Sequence, residues 1–132
     1  MADNDNGTVG EAASLRIALR RFLRQSEMIT RNHGLSPRHY ELLLMIKAAP
    51  GEHSTVSTLV EQLQLTQSTV TELVQRAEDG GLLARRQSPE DGRVVHLSLT
   101  AEGERRLSLA LEDLGPERHR LLALIRPAEA AV

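Results

Sequence analysis

The feature that most constrains this chain is a pair of amphipathic stripes set close together. Val56, Leu59, Val60 and Leu63 recur at helical spacing, and Val70, Leu73, Val74 and Ala77 do so again after Gln64-Leu65 and Thr66. Each stripe is one face of a helix that must be buried, and so short a connection forces the two helices to meet at a steep angle over a shared core. Thr66 can accept from the free amides of the second helix's first turn, while Leu65 and Val70 are the residue pair of a hydrophobic staple. Gly80-Gly81 then supplies positive-φ residues just past the last periodic position. This is a helix-turn-helix pattern.

Beyond the glycines, residues 82–87 can extend as a strand. Ser88-Pro89-Glu90-Asp91-Gly92 is dense in turn formers, and residues 93–99 alternate as a returning strand. A hairpin directly after a helix-turn-helix makes a wing. The fold class expected is therefore mainly α with a small β-hairpin wing (α+β): a winged helix-turn-helix with helical segments on either side.

Opposite its apolar stripe the second helix carries Ser68, Glu72, Gln75 and Asp79, flanked by Thr71 and Arg76, with Thr66 and Gln67 at its start. All these side chains can hydrogen-bond to base edges or phosphates. Polar residues also cover any exposed helix, so it is the turn before and the wing behind that favour nucleic acid over a plain solvated face. Glu72 has two readings. Its carboxylate repels phosphate but can accept from the exocyclic amine of cytosine, or it can pair with Arg76 at i, i+4. In the wing, Asp91-Gly92-Arg93 is either an ordinary hairpin turn or an arginine offered to a minor groove and oriented by Asp91. Arg85 and Arg86 can clamp phosphates, or one of them can pair with Glu90 or Asp91. The residues expected at DNA are thus Thr66, Gln67, Ser68, Thr71, Glu72, Gln75, Arg76, Arg85, Arg86, Asp91 and Arg93.

Charge limits how such a surface can work. The 132-residue chain carries a net −2, and residues 55–99 hold four arginines against six carboxylates. Attraction to DNA must then come from local arginine placement and helix N-termini rather than from a broad basic field, and few counterions are displaced on binding. The same balance supports a competing reading, a winged helix used as a protein-interaction module with little DNA affinity.

The run TQSTVTELVQRAEDGGLLARRQSPEDGRVVHLSLTAEG, with Asp91-x-Arg93 in the wing and Leu99-Thr100-x-x-Gly103 after it, resembles the MarR (multiple-antibiotic-resistance regulator) family of winged-helix transcription factors. The resemblance runs from residue 35 to about residue 114, and outside it only the helical character fits. It implies a homodimeric, sequence-specific regulator of transcription, a repressor bound to double-stranded DNA at a palindromic operator. Two recognition helices would enter successive major grooves, with half-sites about 10 base pairs apart. It also implies relief by a small-molecule effector, often aromatic or anionic, held between the dimer helices and the DNA-binding lobe. His33, His39 and Tyr40 are the candidate polar contacts for that ligand. Two positions depart from relatives, which commonly carry arginine where Glu72 and Gly92 stand.

The rest of the chain divides around this module. Residues 1–10 are small and polar without periodicity, the pattern of a disordered tail, and residues 11–132 read as one domain. Within it, 11–33 and 100–132 are the expected dimerisation helices and 35–99 the DNA-binding lobe. Leu15, Ala18, Leu19, Phe22, Ser26 and Ile29 trace one face of a long first helix ended by His33-Gly34. Leu35-Ser36-Pro37 then starts another, with Ser36 as cap, Pro37 in the first position and Leu35 opposite Tyr40 as a staple. The consecutive Leu42, Leu43, Leu44, Met45 and Ile46 predict burial on most sides and a central place. Thr100 caps a helix with Leu107, Leu111 and Leu114 as its spine, Gly115-Pro116 breaks it, and residues 117 to about 126 form a last helix. These terminal helices carry more apolar surface than the module needs, which predicts a second copy of the chain.

Other classes are disfavoured. With no cysteine there is no disulfide or thiolate chemistry, and five scattered histidines lack the i, i+4 spacing of a helical metal pair, so no metal or other cofactor is expected. No apolar run approaches the roughly 18 residues of a membrane span. The acidic, polar opening MADNDNGTVG is unlike a signal peptide, so a cytoplasmic location without membrane contact is expected. A glycine-rich phosphate loop, a nucleophile signature and paired acids on an evident cleft are all missing, since Glu78-Asp79 and Glu90-Asp91 sit beside turn glycines, so the chain does not read as an enzyme.

Overall fold

The computed structural model describes residues 2–125. Among them the elements follow in the order α1 (Ala2–Asn32), α2 (Pro37–Ala48), a 3₁₀ turn (Pro50–Glu52), α3 (Val56–Leu63), α4 (Gln67–Asp79), β1 (Leu83–Gln87), β2 (Val95–Leu99), α5 (Ala101–Asp113) and α6 (Gly115–Ile125). Helix α2 lies at the centre, packed against α1, α3, α4, α5 and β2. It begins as its start signal predicts: Ser36 Oγ accepts from the His39 amide at 3.1 Å, and Pro37 occupies a position whose N–H would have no helical partner. Leu42, Leu43 and Ile46 are completely buried there, each burial stabilising by roughly 1.5–3 kcal/mol.

Around α2 close Leu59 of α3, all four stripe residues of α4, Leu83 and Leu97 of the hairpin, and Leu107 and Ala110 of α5. Thr55 and Thr66 cap α3 and α4 through the Thr58 and Thr69 amides. The turn between the helices is made by Gln64 in the left-handed region (φ 55°, ψ 43°), a conformation costing a non-glycine residue about 1–2 kcal/mol. Burial of both stripes outweighs that cost. At the far end of α4 only Gly81 takes positive φ (78°), whereas Gly80 stays at −80° because its N–H still bonds back to Arg76.

β1 and β2 pair antiparallel, from Leu83 opposite Leu99 to Gln87 opposite Val95. β2 starts two residues later than the alternation predicts, because the Val94 N–H is donated to the Asp91 carbonyl (2.9 Å) and closes the turn. One more contact has no periodic signature: Ser54 and Leu97 exchange both backbone hydrogen bonds (3.0 and 2.8 Å). That bridge pins the hairpin to the residue just before the α3 cap, so wing and helix-turn-helix are positioned together.

Thr100 caps α5 through the Gly103 amide at 3.1 Å, and its own N–H donates to the Leu82 carbonyl at 3.0 Å. Gly103 sits so close to that carbonyl that any Cβ would collide with it. This explains the glycine of the Leu99-Thr100-x-x-Gly103 motif. Further ties run from Lys47 to Glu52 and to Glu104 (2.9 Å), from His33 Nε2 to Asp113 Oδ2 (2.6 Å), and from Arg106 to Glu102 (2.8 Å). Hydrogen bonds from Arg105 and Arg106 hold the Glu102 carboxyl down to about 2.

Two expectations about the termini are corrected. Residues 2–10 are not a disordered tail but the opening of α1. Once a long helix is nucleated, adding residues needs one hydrogen bond each and no apolar contact, so lack of periodicity does not stop it. The helix does break next to Gly115-Pro116, α5 ending at Asp113, but α6 starts at Gly115 rather than at residue 117, because a proline in the first turn has no helical hydrogen bond to lose. The expected end of that helix at Arg126 lies outside the described residues.

Gly103→Ala should cost about 1–3 kcal/mol in urea unfolding, since either α5 or the Leu82 peptide must shift. Unchanged stability would show that α5 is not seated on that carbonyl.

Candidate nucleic-acid interface

Capping and the buried stripe together decide which side of α4 faces outward. Thr66, Gln67, Ser68, Thr71, Glu72, Gln75 and Arg76 are all exposed, while Val70, Leu73, Val74 and Ala77 are buried. Two i, i+4 pairs run along the outer face: Arg76 Nη2 to Glu72 Oε1 at 2.7 Å, and Gln75 Nε2 to Asp79 Oδ1 at 3.0 Å. Of the two readings left open for Glu72, the ion pair with Arg76 is therefore formed in the free chain.

At the wing tip the Arg93 side chain is 93% exposed. Asp91 Oδ1 accepts from both the Arg93 amide (3.0 Å) and its Nε (3.3 Å), so Asp91 orients the arginine as the turn sequence suggests. Ser88 Oγ accepts from the Glu90 and Asp91 amides and fixes the start of the turn. A Cβ at Gly92 would meet open space, so the turn does not require glycine.

Arg85 bonds neither Glu90 nor Asp91. Its Nε donates to Glu78 Oε1 at 2.7 Å, tying β1 to the last turn of α4. Nothing in the spacing announces this pair, which exists because the hairpin folds back beside α4. Arg86, exposed and opposite His96 in the sheet, has no ion pair among the described residues.

The three residues suggested for an effector are not brought together. His33 is engaged with Asp113. Tyr40 is half-buried against the core; burial raises its phenol above the ordinary value, with the Arg118 charge opposing. His39 alone lines a groove of about 490 Å³ between the start of α2 and α4, with its Nδ1 2.8 Å from Ser36 Oγ. Arg38 and Thr69, which the sequence did not single out, share that groove with Glu72, Arg76 and the stripe residue Leu73. Another pairing also escaped the sequence: His53 and His96, far apart in the chain, stack with ring centroids 4.1 Å apart across the Ser54–Leu97 bridge.

Comparison with known proteins agrees with this geometry. Residues 33–94 match the MarR family model. Over 67 residues the chain is 40% identical to the organic hydroperoxide resistance transcriptional regulator of Bacillus subtilis, an alignment covering 51% of this chain and 44% of that protein. The chain thus spans about half the length of the curated relatives it matches. AbsC, a MarR family transcriptional regulator from Streptomyces coelicolor, shares the fold with a TM-score of 0.77 at 18% identity, over 99% of this chain and 86% of that one. A mutant MarR from E. coli complexed with operator DNA gives 0.71 at 18% identity, over 94% and 87%. The helix-turn-helix, the Asp91–Arg93 wing and the glycine seat of α5 are all in place, and over residues 33–94 this chain is similar to the MarR family.

Proposed function

We propose that this chain is a sequence-specific DNA-binding regulator of transcription that acts as a homodimer and represses from a palindromic operator in the cytoplasm. The observation that carries the reading is the outward polar face of α4 joined to a wing that presents Arg93, on a fold shared with an operator-bound MarR structure. The side chains expected at DNA are Thr66, Gln67, Ser68, Thr71, Glu72, Gln75 and Arg76 in a major groove, with Arg85, Arg86, Asp91 and Arg93 toward the flanking backbone and minor groove.

Dimerisation is supported by apolar surface that one copy leaves uncovered. Ile17, Leu23 and Leu124 on the terminal helices are 57%, 60% and 64% exposed, and Val9, Leu15 and Met28 add to them. Covering such a surface with a second copy removes it from water and sets two α4 helices a fixed distance apart. Response to an effector is supported by the groove beside α4. Its volume is in the range of small-ligand sites, and Arg38 and Arg76 suit an anion. An anion bound there would compete with Glu72 for Arg76 and so change the face offered to DNA.

The competing reading, a protein-interaction module, is favoured by the negative net charge of residues 55–99. Selection from a pool of randomised duplexes separates the two. A DNA regulator should enrich an imperfect palindrome with half-sites about 10 base pairs apart, and a pool recovered without enrichment would leave the interaction module. On the selected operator, Arg93→Ala should weaken binding by roughly 1–3 kcal/mol without lowering the melting temperature, and Gly92→Arg should strengthen it. Equal affinities throughout would reduce the wing to a structural hairpin. Light scattering should find the parent as a dimer and Ile17→Glu combined with Leu23→Glu as a folded monomer; a variant that stays dimeric places the interface elsewhere.

A further inference from the structure

The lobe of residues 55–99 contains no lysine, and its arginines are Arg76, Arg85, Arg86 and Arg93. Three of these four are held by carboxylates of the same lobe: Arg76 by Glu72 (2.7 Å), Arg85 by Glu78 (2.7 Å) and Arg93 by Asp91 (3.3 Å). The pairs arise in three different settings, within α4, between α4 and β1, and within the wing turn. Asp91 also accepts from the Arg93 amide, so it shapes the turn as well as meeting the charge. Glu72 and Glu78 have no such second partner among the described hydrogen bonds. The Glu78–Arg85 pair is also the most covered of the three.

We propose that Glu72 and Glu78 are specificity-determining residues, which suppress sequence-independent DNA binding by holding Arg76 and Arg85 in ion pairs. The inference rests on the DNA-binding reading above. Phosphates are the same at every sequence, so an unpaired arginine gains affinity for any duplex. A paired arginine must first give up its carboxylate, which is then left uncompensated near a phosphate. That penalty falls on all DNA alike. At a base edge, by contrast, an exchange is available: Glu72 can accept from a cytosine amine while Arg76 turns to the backbone, so the acid is satisfied only where the sequence is right. The bland alternative for Glu72 is helix support through an i, i+4 pair. It does not apply to Glu78, whose partner lies on a different element.

The test uses the full chain and fluorescence anisotropy with a random-sequence duplex pool over a range of KCl concentrations. Glu78→Gln and Glu72→Gln should each bind the pool about two- to fivefold tighter, the range an exposed ion pair spans. The slope of log affinity against log salt should become more negative by about 0.9 for each arginine released. Combining Glu78→Gln with Arg85→Gln should abolish the gain, because the acid acts through that arginine. In binding-site selection, Glu72→Gln should relax one base-pair position in each half-site and Glu78→Gln none. Parental affinity and slope for the pool in both single variants, while the selected operator is still bound, would overturn the proposal and leave DNA reading intact. So would a gain that survives in the double variant, since it would reflect net charge alone. An unrelaxed operator for Glu72→Gln would overturn the cytosine exchange. A parent chain that binds no duplex would instead overturn the DNA-binding reading and this inference with it.

Discussion

Burial of the α2 leucines is the contact on which the remaining structure depends. Leu42, Leu43 and Ile46 meet no solvent, and the faces they offer are covered by α1, α3, α4, α5 and β2. Because one helix receives so many partners, the orientation of α4 is decided by where its stripe must go. Its polar face then has only one direction left. The Ser54–Leu97 bridge and the seat of Gly103 on the Leu82 carbonyl extend the same constraint to the wing and to α5. The candidate interface is thus what remains outside after the core is closed.

Electrostatics shapes that surface in an unexpected way for a proposed DNA reader. Residues 55–99 keep their excess of carboxylates over arginines however the charges pair, and three of their four arginines are already neutralised by neighbours. Such exposed pairs contribute little to stability, about 0–1 kcal/mol each. Their larger effect is on what the surface can bind. A face with pre-paired cations gains little from phosphate alone and more from groups that satisfy both members of a pair.

The terminal helices pose the opposite problem. α1 is held to the body through Ala18, Phe22, Ser26, Ile29 and Thr30, while Leu15, Ile17, Leu23 and Met28 point away. A helix of 31 residues with so narrow a contact has more apolar surface than one copy can use. The groove between α2 and α4 lies elsewhere and combines two arginines with Glu72, so a ligand there would act on the DNA face through Arg76.

Much of this was legible in the residues themselves. The two stripes, the threonine and serine caps, Pro37, the wing turn and the arginine-orienting Asp91 are local signals, each acting within about one helical or hairpin turn, and so periodicity and capping chemistry determine them. The helix of residues 2–10 was not legible, because it extends an existing helix without adding contacts of its own. The Glu78–Arg85 pair, the Ser54–Leu97 bridge, the His53–His96 stack and the separation of His33 and Tyr40 from the groove at His39 were decided only by tertiary structure. Each joins or divides residues on different elements, and the relative placement of elements is set by the packing of the whole core, which no short stretch of sequence contains.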